Sequence, residues 1–160
     1  MPNLADFIRA EKSELKLGDW HHGKIPRGQF PMSGAKARAY KYGSSYCWQV
    51  ITFRCLDRLC RVLILLNEEK HQFRAAFGVD QDGDTILLCD HEFHGDHPGW
   101  HCHLTLMDVD AVEPGTNRLA KKRWPSALSQ HSKKDFGLTK ENARHHTMAR
   151  YRIDVKGSLL

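Results

Sequence analysis

TILLCDHEFHGDHPGWHCHLTLM, residues 85–107, is two strand-like runs around one turn. Short apolar and aromatic runs flank GDHPG at 95–99, and a break of that length joins neighbouring strands antiparallel, because a parallel return needs a long crossover. The same pattern extends upstream. YCWQVITFR (46–54), CRVLILL (60–66) and QFRAAFGV (72–79) are short and rich in β-branched and aromatic residues, and NEEKH and DQDGD separate them from each other and from residue 85. An antiparallel meander of about five strands over residues 46–107 is expected. DQDGD carries three aspartates, but its glycine falls between the second and third. The twelfth position counted from Asp80 is His91, not a bidentate glutamate, so a hairpin turn is expected there and not a calcium loop.

The flanks are of another kind. Residues 3–16 place Leu4, Phe7, Ile8 and Leu15 at helical spacing, which predicts a short helix. Gly18, Gly23, Pro26, Gly28, Pro31 and Gly34 then make a turn-rich connection, with His21 and His22 as exposed loop histidines that could complete a remote site. Beyond Met107, DVDAVEPGTNR reads as a loop and SALSQHSKK as one or two helical turns. LTKENARHHTMARYRI predicts a helix from an N-cap at Thr139 to about Tyr151, with Ala143, His146, Met148, Ala149 and Ile153 facing inward. The expected fold is a single α+β domain over 1–160: a helix and turn-rich segment (1–45), the antiparallel sheet (46–107) and a basic helical segment (117–160).

Bulk properties bound the function. The chain has 160 residues, 41% of them hydrophobic and 27% charged, ordinary for one globular domain. The longest strictly apolar run is Val62–Leu66, against the roughly 20 residues a membrane-spanning helix needs. No secretory signal is read in the first twenty residues. The five cysteines form no C-x-x-C pair, which suggests reduced thiols and a cytoplasmic setting. The net charge of +5 is unevenly spread: from Asn117 onward eleven Lys/Arg stand against three Asp/Glu, whereas the preceding residues carry thirteen against sixteen. Lys121, Lys122, Arg123, Lys133, Lys134 and Arg144 are the candidate contacts to nucleic acid or another polyanion. No membrane partner is expected.

Five of the eleven histidines lie in the hairpin. Side chains alternate across a strand, so His101 and His103 share one face and Cys102 takes the other. A five-residue turn would place His91 opposite His103, giving His91, His101 and His103 as metal ligands, the number a catalytic zinc site uses while keeping a position open for water. A four-residue turn would instead bring Asp90, Glu92 and His94 to that face, giving three histidines or the two-histidine, one-carboxylate pattern of non-haem iron. The register is left open by the sequence. His97 is expected to point into water, and Trp100 to be core.

Glu92, His94 and His145 are the candidate catalytic groups, the last if the C-terminal helix reaches the hairpin. Zinc is the expected ion, with manganese or iron as alternatives. Cys89 and Cys102 are weak nucleophile candidates. His103-Leu104-Thr105-Leu106 and His145-His146-Thr147-Met148 each match the His-x-Thr-x element of the two-histidine phosphoesterases, a resemblance of eight residues. In that family the two elements lie on facing strands, whereas here the second falls in a predicted helix. It implies a runner-up, a metal-independent ribonuclease using two histidines as acid and base. The leading expectation is a metal-dependent hydrolase of a phosphodiester or nucleic-acid substrate, and the third a non-enzymatic binding module.

Overall fold

The computed structural model describes residues 1–31, 45–94, 99–112, 122–124 and 136–154. Its elements in chain order are α1 (Leu4–Arg9), β1 (Ser13–Leu17), β2 (His21–His22), β3 (Cys47–Cys55), β4 (Arg58–Asn67), β5 (Gln72–Gln81), β6 (Asp84–His94), β7 (Gly99–Leu104), β8 (Lys122–Trp124) and α2 (Lys140–Arg150). One antiparallel sheet runs β1-β3-β4-β5-β6-β7-β8, and the two residues of β2 also pair with β3. The five expected strands are β3 to β7, and the α+β reading holds. The added strands are short pieces on the outer edges.

The N-terminal segment departs from the expected helix. α1 opens on a reciprocal cap, in which the Asn3 side chain accepts from the Asp6 N–H and the Asp6 carboxylate accepts from the Asn3 N–H. It stops at Arg9, and Ser13–Leu17 pairs with β3. An edge strand carries unpaired backbone donors and acceptors, and β1 satisfies those of β3. Apolar spacing carries no signal of that tertiary demand. The DQDGD segment makes the expected tight hairpin, with Asp82 at φ 53° and Gly83 at φ 77° as its two central residues.

The two sheet faces bury different cores. Ile51, Phe53, Val62, Ile64, Ala75 and Phe77 belong to the larger one, together with Phe7 of α1 and Ala143 and Met148 of α2. Tyr151, just past α2, is fully buried and donates its hydroxyl to the Ala75 carbonyl at 2.6 Å. On the opposite face Trp48, Val50, Leu63, Leu65, Ala76 and Leu87 pack with Ile25 and Phe30.

A β-bulge in β6 decides which of its residues face which core. Leu87 pairs with Gly78 and Cys89 with Phe77, so Leu88 has no partner across the ladder. Leu88 and Cys89 both join the α2-side core, and from there the odd residues face α2 and the even residues face away. The β5 strand runs close to its neighbour here: a Cβ on Gly78 would meet Thr85 Cγ2 at 2.3 Å and the Phe30 ring at 3.2 Å, so only glycine fits.

Candidate metal centre

β6 and β7 pair with His94 opposite Gly99, Glu92 opposite His101, Asp90 opposite His103 and His91 opposite Cys102. The register is the four-residue one. It extends a single row across the sheet: Trp48 pairs with Leu65, Leu65 with Arg74, Arg74 with Glu92 and Glu92 with His101. Residues paired in this way lie on the same face. The apolar end of the row is the second core, and its polar end is the candidate site.

Glu92 is the hub. Its Oε2 lies 3.1 Å from His101 Nε2, 3.4 Å from His103 Nε2 and 3.5 Å from His94 Nε2. The Glu92 and His101 side chains are only 2% exposed. Arg74 holds the other side of the cluster, with its Nε 2.6 Å from Asp90 Oδ1 and 3.9 Å from Glu92 Oε1. Asp90 is fully buried, and its Oδ2 has no hydrogen-bond partner among the described residues. Among the described residues, the two buried carboxylates thus share the Arg74 guanidinium in a poorly solvated place.

Proton placement sharpens this. His101 Nδ1 lies 2.8 Å from the Gly99 carbonyl, which can only accept, so Nδ1 carries the proton. In the neutral ring that leaves the Nε2 lone pair aimed at a carboxylate oxygen. A cation between them, or a second proton on the ring, removes the conflict, and a histidine whose second nitrogen is anchored to a carbonyl is the usual form of a metal-ligating one. The spacing agrees. Four ligand atoms at about 2.1 Å around a tetrahedral ion stand about 3.4 Å apart. Glu92, His94 and His101 each offer one ligand atom, all within 4.8 Å of one another, and this buried group could hold a metal ion.

The other face of the same hairpin is unlike this one. His91 points to the α2 side, stacked on Trp100 at 5.0 Å between ring centroids and with its Nε2 3.2 Å from His146 Nε2. Its buried Nδ1 has no partner among the described residues. The proton therefore sits best on Nε2, donated to His146, which avoids an orphaned N–H. Burial, and then the positive Arg150, push His91 down to about 3, and the same two causes lower His146. The Cys102 thiol hydrogen-bonds with Cys89 and has Arg150 Nη2 at 3.8 Å, and both contacts lower its pKa. All five cysteines are free and buried.

The expected triad of His91, His101 and His103 is therefore not assembled: with the turn closing at His94 and Gly99, alternation sends His91 through to the other face. The even residues Glu92 and His94 join His101 and His103 instead. His145 is exposed on α2, and the helix presents His146 to the sheet in its place. His103 and His145 thus lie on opposite sides of the sheet, which breaks the pairing the two-histidine resemblance implies. His21 and His22 are exposed on β2, beside β3 and away from the hairpin.

Of the basic candidates, Lys122 is exposed on β8, the Arg123 backbone pairs opposite His103, and Arg144 is half-buried on α2. Lys121, Lys133, Lys134, His97 and the SALSQHSKK segment lie outside the described residues. Sequence reasoning passed over Arg74, whose signal was a lone cation in the apolar run QFRAAFGV. It also passed over a pocket of about 170 Å³ beside Glu92 and His94, lined as well by Tyr46, Leu65, Gln72, Phe73 and Arg74.

The chain matches no known protein-family model, no curated protein and no solved structure. Among the described residues no helix is long and apolar enough to cross a membrane.

Proposed function

We propose that this protein is a divalent-metal-dependent hydrolase of phosphate esters, with zinc held by Glu92, His94 and His101. The observation that carries the reading is the convergence of three imidazole Nε2 atoms on one oxygen of a buried carboxylate. A bound divalent ion supplies an acidified water and positive charge for a phosphoryl oxygen. The residues around it divide the remaining work. Gly99 fixes the His101 tautomer, and Arg74 fixes the position of Glu92. His103, 14% exposed and 3.4 Å from Glu92, is placed to accept or return a proton at the rim. Two nitrogens and one oxygen also suit manganese and iron(II), so metal identity is part of the test. Lys122, exposed on β8 beside β7, supports a polyanionic substrate such as nucleic acid.

The test is elemental analysis of the purified protein beside the His101→Ala/His103→Ala double variant, with hydrolysis of bis(4-nitrophenyl) phosphate measured for both. Stoichiometric zinc that disappears in the variant, together with chelator-sensitive hydrolysis, supports the reading. Metal-free wild-type protein sinks it. Bound metal with no turnover on any phosphate ester assigns the centre to a binding module, and chelator-resistant RNA cleavage assigns it to the metal-independent alternative.

A further inference from the structure

The pocket beside the candidate centre has a size and a polarity that select a substrate. Its volume of about 170 Å³ is close to that of apolar cavities of roughly 150 Å³ that hold one benzene ring. Its lining is mainly apolar, with Leu65 as a wall. The Tyr46 hydroxyl donates to Gln72 Oε1 at the rim and ties the chain entering β3 to the start of β5. Polarity rises along the cross-strand row, from Leu65 through Arg74 to Glu92 and His101. Leu65 and Glu92 are two strand spacings apart, about 10 Å. That distance accommodates a planar six-membered ring at one end and a phosphoryl group at the other.

We infer that the substrate is a phosphate ester bearing a single six-membered planar ring, seated against Leu65 beside Tyr46 and Gln72 with its phosphoryl group directed to Glu92 and His94. The inference rests on the proposed metal-dependent reading and deepens it. Two sources share this chemistry, a pyrimidine nucleotide and an aryl phosphate. A fused purine is larger than the single ring that a cavity of this volume matches.

The experiment titrates the zinc-loaded full-length chain calorimetrically with phenylphosphonate, methylphosphonate, uridine 5′-phosphate and adenosine 5′-phosphate. Phenylphosphonate is expected to bind at least about tenfold tighter than methylphosphonate, because the ring is removed from water. Uridine 5′-phosphate is expected to outbind adenosine 5′-phosphate. Leu65→Phe fills the pocket and should bring both ratios to about one while zinc stays stoichiometric. Gln72→Phe, on a half-exposed position, does the same from the rim if the first variant does not fold. Tightest binding of the uridine nucleotide assigns the pyrimidine, and tightest binding of phenylphosphonate assigns the aryl ester. Zinc retained with no preference for a ring, or a purine bound as tightly as a pyrimidine, overturns the inference alone. Wild-type protein without zinc overturns the metal reading and the inference with it.

Discussion

The two faces of the β6–β7 hairpin carry the same residue types in different surroundings. On one, His94, His101 and His103 converge on Glu92, beside Asp90 and Arg74. On the other, His91 is stacked among Trp100, Phe73 and His146 under α2. Neighbouring positions in the chain, His91 and Glu92, thus serve opposite ends. One imidazole is a desolvated neutral ring that joins helix to sheet, and the carboxylate beside it gathers three others. A histidine's chemistry here is set by which side of the pleat it occupies and what covers that side.

The largest expected effect separates the faces outright. Glu92→Ala should abolish stoichiometric metal, whereas His91→Phe, on the helix side, should retain it; elemental analysis reads both. Zinc at 100 times its dissociation constant should stabilise the wild-type fold by about 2.7 kcal/mol, roughly 5–10 °C in Tm for a chain of this size. Glu92→Ala should show no such shift. If His91→Phe also loses the metal, the faces are not independent.

Acidification should act on the helix side. His91 and His146 have pKa values below the ordinary 6.5, so both are neutral in the fold and charge more readily in the unfolded chain. Their contribution is complete above pH 6.5 and is lost as pH falls from there toward the His91 value of about 3. For His91 the loss is about 2 kcal/mol by pH 5. Urea unfolding of metal-free protein at pH 7 and pH 5 measures it, and His91→Phe should flatten the slope. An unchanged slope in that variant would place the acid sensitivity on the other face.

Smaller effects sharpen the contrast. Tyr151→Phe removes the buried hydroxyl that reaches Ala75 and should cost about 1–2 kcal/mol in denaturant unfolding with metal content unchanged. Lys122→Glu, exposed on β8, should change stability by less than about 0.5 kcal/mol. It should still weaken binding of a single-stranded oligonucleotide, read as a shallower salt dependence. Unaltered oligonucleotide binding would detach β8 from the proposed substrate path.

Much of the fold was legible because the strands are long and their turns carry strong signals. DQDGD and GDHPG both mark antiparallel pairs. α2 was legible from most of its inward positions, with Ala143, Met148 and Ile153 buried and Thr139 before its first turn, whereas Ala149, also expected inward, is exposed. The N-terminal strand was not, because Ser13–Leu17 is mostly exposed and owes its conformation to the open edge of β3. The site was legible as a cluster but not as a ligand set. Both candidate triads were written in the same residues, and choosing between them required one pairing, His94 with Gly99.

By itself the sequence determined that strands of this hairpin pair antiparallel, that His101 and His103 share a face, and that Cys102 takes the other, because alternation is a property of any extended backbone. Tertiary structure decided which face is which. The bulge at Leu88 shifts the parity of β6, so Cys89, His91 and Phe93 turn under α2 while Asp90, Glu92 and His94 turn toward Arg74. A bulge adds one residue to one strand against its partner, and its place depends on the packing of both strands. Here it falls where Gly78 lets Thr85 and Phe30 come close.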